Sequence, residues 1–160
     1  MKTNRKRVVI TGIGILSSLA ENLQDFRDAL LNKKNGVTDR VRFSKWFENA
    51  RAAEVLHDID YSELPDDVIA SLDNAALWAY KVGKDALNQA GLAENKTHLK
   101  ETGLIVGVSS AGTEAFLPLF EQRMEDFSLR KALFSGGFSS CCSSVSTLLG
   151  LQGGVELVAT

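Results

Sequence analysis

The run Ser139-Ser140-Cys141-Cys142-Ser143-Ser144 holds both cysteines of the chain, and a thiol is the side chain most readily turned into a nucleophile. That conversion needs a cationic neighbour or a helix N-terminus to favour the thiolate. No histidine or lysine is evident as a base. The spacing of Phe138, Cys141, Cys142, Val145, Leu148 and Leu149 instead places the pair on the buried face of a short helix that Gly150 closes. A cysteine so placed fills a close helix contact as a small hydrophobe. Adjacent residues are also poorly placed for disulfide geometry. His57 and His98 stand far off without ligand spacing, so a zinc site has little support.

The second candidate is "KRVVITGIGILSSLA", residues 6–20, which runs from β-branched residues into Gly12-Ile13-Gly14. A dinucleotide fingerprint needs a third glycine, so that the helix packs closely and meets the pyrophosphate. Ser17 stands at that position, and Asp39, the acidic residue nearest the required spacing, lies in a stretch without periodicity. Ser135-Gly136-Gly137 precedes no lysine, so a Walker loop is missing as well. Gly12 and Gly14 therefore read as devices of a tight turn.

These candidates sit on alternating strand and helix signals. Val8 to Ile10 predicts a buried strand ending at Gly12. A helix follows with Leu23, Phe26, Ala29 and Leu30 on one face, capped by Asn22 and stopped by Asn35-Gly36. Residues 37–65 form an irregular excursion in which Trp46 and Phe47 are candidate anchors. After Pro65, a small-residue stripe from Leu72 through Ala76, Ala79, Val82, Ala86 and Ala90 predicts a long helix ended by Gly91, able to pack closely on a sheet. Gly103 to Val108 reads as a strand, Phe116 to Phe127 as a helix, and Val155 to Thr160 as a last strand. This order predicts an α/β fold with a mainly parallel sheet flanked by helices. Ending on an apolar strand leaves one face without cover, so the fold is expected to need a continuation or a partner polypeptide.

With 160 residues, 44% of them apolar and 24% charged, and a net charge of −2, the chain has the makeup of one soluble domain. Its dense basic cluster, Lys2, Arg5, Lys6 and Arg7, reads as a solvated tail, and the rest shows no footprint for nucleic acid. No apolar run spans a bilayer and no signal peptide is evident, so a cytoplasmic location is expected.

Taken in order, "RVVITGIGILSSLAENLQDFRDALLNKKNGV", "LDNAALWAYKVGKDALNQAGL", "GLIVGVSSAGTE" and "LLGLQGGVELVAT" resemble the N-terminal half of the β-ketoacyl-ACP synthases, condensing enzymes of the thiolase superfamily. The resemblance covers nearly the whole chain, residues 1–160, as one incomplete domain. It implies a thiolase-like fold and an acyltransferase that joins an acyl thioester to malonyl-ACP with loss of carbon dioxide, in fatty-acid or polyketide synthesis. It also implies substrates carried on the phosphopantetheine of acyl carrier protein, no cofactor bound by this chain, and a homo- or heterodimer. The family's nucleophilic cysteine follows the Ala-Thr strand by a residue or so, and its histidines and lysine lie in the second half. No catalytic residue is thus expected here, and the chain alone should be silent.

By the same resemblance Ser109, Ser110, Gly112, Thr113 and Phe134 belong to the acyl pocket or its gate. Ser110 stands where relatives often carry a larger apolar residue, which would open the pocket to longer or more polar chains. The alternative is a polar turn that caps the next helix through Thr113. Phe134 and Phe138 either reach across the dimer or are plain core. Cys141-Cys142 and Gly153-Gly154, the latter in place of Gly-Pro, depart from the family and suggest a specialised polyketide or polyene pathway. Two further readings stand beside the first: a chain-length-factor-like subunit without the cysteine, and a small α/β module holding an anion in its "GIG" and "SSAG" turns.

Overall fold

A computed structural model describes residues 7–39, 49–55, 58–109 and 138–159. In chain order they contain α1 (Leu23–Leu31), α2 (Asp66–Ser71), α3 (Asn74–Gln89), α4 (Lys96–Glu101), β1 (Leu104–Val108), α5 (Phe138–Leu148) and β2 (Val155–Ala159). The helix expected over 116–127 lies outside the described residues, as do Trp46 and Phe47.

α1 starts as its sequence dictates, with the Asn22 side chain accepting from the Asp25 N–H at 2.9 Å. Its stop differs from the expected Asn35-Gly36. Lys33 takes the left-handed conformation, φ 54, while the N–H groups of Lys33 and Lys34 donate back to Leu30 and Ala29 at 3.0 and 2.9 Å. This pair of reversed bonds is a Schellman closure, and it fixes the turn at the residue where the last carbonyls are satisfied, whatever the side chain. Gly36 serves another purpose: a Cβ there would lie 3.0 Å from the Ser18 Cβ. Because a non-glycine residue is strained at Lys33, Lys33→Gly is expected to raise stability by about 1 kcal/mol, read as a higher urea midpoint. An unchanged or lower midpoint would show that the strain is absent.

The excursion over 37–65 is irregular, as expected, within its described part. Thr38 and Ala52 form one antiparallel bridge, exchanging N–H···O bonds of 2.9 and 3.0 Å. The turn at Asp60, whose carboxylate accepts from the Ser62 N–H at 2.8 Å, brings Glu63 onto α3. There Glu63 accepts from the Tyr80 hydroxyl at 3.0 Å and pairs with Lys84. Burial, then the Glu63 hydrogen bond and charge, push the Tyr80 hydroxyl up to about 12.

The long helix expected after Pro65 is two helices. Leu72 is extended, and the Asp73 carboxylate accepts from the Ala76 N–H at 2.8 Å. A side chain that caps the next turn competes with the helical carbonyl and restarts the helix. Leu72 is thereby turned onto the core. α3 ends at Gly91, φ 68, as expected.

The two strands are parallel, in register from Leu104↔Val155 to Val108↔Ala159. α5 contacts α3 and both strands. The core at this junction is Ala76, Cys141 and Val145, packed against Leu72, Ala79, Leu104 and Leu149. The opposite sheet face is open among the described residues, with Ile105 at 70% and Val158 at 52% exposure.

Val8 to Ile10 departs most from expectation. The three are exposed and in no ladder, with Val8 at 94%. β-Branched composition favours extended backbone, but a strand exists only where its N–H and C=O groups find a neighbour. No described strand pairs with them.

The following segment is not the tight turn its glycines suggest: residues 11–17 form neither turn nor bend and neither Gly12 nor Gly14 has a positive φ, so both glycines serve a close backbone approach instead. A Cβ on Gly14 would lie 2.7 Å from the Val82 carbonyl carbon and 2.8 Å from its Cα, and one on Gly12 would lie 2.9 Å from the Ala86 carbonyl carbon. The Ile13 N–H donates to Gln89 Oε1 at 2.6 Å. The small-residue stripe of α3 is therefore divided: Ala76 and Ala79 meet the core near α5, while Val82, Ala86 and Ala90 receive the backbone at Gly12 and Gly14.

Candidate functional site

Open parallel sheets place ligands beyond the carboxyl ends of their strands, and here those ends are Val108 and Ala159, direct partners in the ladder. Ser109, the first residue beyond β1, is exposed at that edge. The parallel register thus brings Ser109 next to the end of β2 at Ala159, although they lie far apart in sequence. At the opposite edge the strands are tied by Leu104 N–H to Gly154 O at 2.9 Å and Gly153 N–H to Thr102 O at 3.0 Å. A Cβ on Gly153 would lie 2.6 Å from the Thr102 carbonyl carbon, whereas Gly154 has open space around it. The close approach needs glycine at 153, and any loosening by the Gly-Gly pair is confined to position 154.

Of the residues singled out for an acyl pocket, Ser109 is placed at this edge; Ser110, Gly112, Thr113 and Phe134 lie outside the described residues, as does His57. His98 is exposed on α4, an element the sequence reading missed because six residues with one buried apolar side chain, Leu99, show no period. Its signal was Asn95, whose side chain caps the helix by accepting from the His98 N–H at 3.1 Å. Of the residues lining a cleft of about 410 Å³, Val37, Thr38, Asp39, Asn49 and Arg51, the sequence singled out Asp39 alone, and only to set it aside as a ribose partner. Those residues belong to the stretch without periodicity. Among the described residues no group of three or more His, Cys, Asp or Glu could hold a metal ion. No described helix is long and apolar enough to cross a membrane.

Cys141 and Cys142 are free thiols, each 3% exposed. Burial, then the charges of Asp73 and Cys142, push the Cys141 thiol up to about 11; burial also raises Cys142. Both oppose thiolate formation, so the pair is core, as its spacing indicates. Two results are expected. A thiol reagent at pH 7.5 should leave both unmodified in the folded protein and label both in urea; labelling without denaturant would refute the burial. The raised Cys141 value also means that its contribution to stability is complete below about pH 9 and lost as pH rises through about 11. Cys141→Ser, which does not ionise in that range, should show a smaller loss of stability there than the parent protein.

The Gly12-Ile13-Gly14 segment is not built as a phosphate loop. Gly12 and Gly14 face the backbone of α3, and the Ile13 N–H that a phosphate loop would offer already serves Gln89.

Residues 5–160 match the family model "Beta-ketoacyl synthase, N-terminal domain". The chain is 34% identical over 110 residues to 3-oxoacyl-[acyl-carrier-protein] synthase 2 of Coxiella burnetii, covering 68% of this chain and 26% of that protein. It is 28% identical over 109 residues to 3-oxoacyl-[acyl-carrier-protein] synthase 2 of Synechocystis sp., again 68% of this chain and 26% of the relative. Its fold is similar to that of the ishigamide ketosynthase/chain length factor, with a TM-score of 0.79 at 23% identity over 98% of this chain and 40% of the other. These matches therefore cover about a quarter of the length of the two synthases. A thiolase-like arrangement of parallel strands and packed helices, with a match running through nearly every residue, places this chain in the β-ketoacyl synthase family as its N-terminal domain.

Proposed function

We propose that the chain is the N-terminal portion of a β-ketoacyl-ACP synthase that condenses an acyl thioester with malonyl-ACP, working in the cytoplasm as a homo- or heterodimer. The observation that supports this reading is the family match over residues 5–160, beside which the register Val108↔Ala159 sets Ser109 at the end of β2. A cysteine beyond Thr160, at a helix N-terminus whose dipole and free N–H groups favour thiolate, attacks the thioester carbon of acyl-ACP. The tetrahedral oxyanion collapses, the acyl group stays on the cysteine, and the phosphopantetheine thiol leaves with a proton. Malonyl-ACP then loses carbon dioxide, promoted by histidines of the other half. Its carbanion attacks the acyl carbon, and the cysteine thiolate departs.

The chain's own part is scaffold, acyl pocket and dimer surface. Ser109, Ser110, Gly112, Thr113 and Phe134 line or gate the acyl chain. The complete protein, given acyl-ACP and malonyl-ACP, should release carbon dioxide and yield β-ketoacyl-ACP, while residues 1–160 alone should do neither. Condensation by the 160-residue chain, or none by a complete protein that carries the cysteine, would overturn the proposal.

The fold's similarity to a ketosynthase/chain length factor supports a second reading, a non-catalytic partner subunit. Glutamine or another residue in place of the cysteine beyond Thr160 would select it. An anion-binding module has no support from Gly12-Ile13-Gly14, where the Ile13 N–H donates to Gln89.

A further inference from the structure

We draw no further inference here: the strongest candidate, the exposed apolar face of the two-stranded sheet around Ile105, Gly107 and Val158, carries nothing beyond the family reading because nothing in the structure shows what covers it.

Discussion

Gly14→Ala is expected to destabilise the fold by about 3 kcal/mol, the upper end of what forced overpacking costs. The added methyl would overlap the Val82 carbonyl group, and the atoms it meets are backbone atoms in the middle of α3. A side chain could rotate away, but a helix carbonyl moves only by giving up its hydrogen-bond geometry. The segment must then lift, losing the Ile13 to Gln89 bond as it goes. Gly12→Ala should behave similarly against Ala86, whereas Gly154→Ala, with open space around it, should stay within about 0.5 kcal/mol. Urea midpoints measured on the complete protein separate these cases. A Gly14→Ala variant as stable as its parent would mean that the backbone at Gly14 does not rest on α3.

Val145→Asp should prevent folding. Val145 is 1% exposed, between α3 and α5, in a cluster of Ala76 and Cys141 that offers no cation to a carboxylate. An unpaired buried charge costs more than a domain's whole margin of stability unless the group is neutralised. The Asp73 carboxylate already acts on neighbouring Cys141, so a second acid adds repulsion. Val145→Ala provides the graded comparison, with an expected loss of about 2 kcal/mol from transfer and cavity terms. Soluble, cooperatively unfolding Val145→Asp protein would place this position outside the core.

What the sequence made legible was local or periodic. Asn22 before α1, Gly91 after α3 and the apolar spacing of α5 are signals contained within a few residues, and the structure uses each of them. The break at Leu72-Asp73 was hidden because the small-residue stripe runs through it, and only the Asp73 bond to Ala76 restarts the helix. The stop at Lys33 was hidden because backbone hydrogen bonds, and no preference of lysine, set the left-handed turn. Val8 to Ile10 shows the limit of propensity, since strand formation depends on a neighbour that composition does not reveal.

The candidate site divides the same way. The core role of Cys141 and Cys142 followed from helical spacing, and their burial agrees with it. The juxtaposition of Ser109 and Ala159 could not be counted from spacing, because it arises from a parallel ladder joining distant segments. For that part of the site the order of family-like motifs was the informative signal.

The proposed chemistry lies beyond β2 and not on the thiols within this chain. It is tested most directly by incubating the complete protein with acyl-ACP, digesting it, and locating the acyl mass by peptide mass spectrometry. The account predicts acyl label on the peptide that follows β2 and none on the peptide containing Cys141 and Cys142. Label on Cys141 or Cys142 would contradict it.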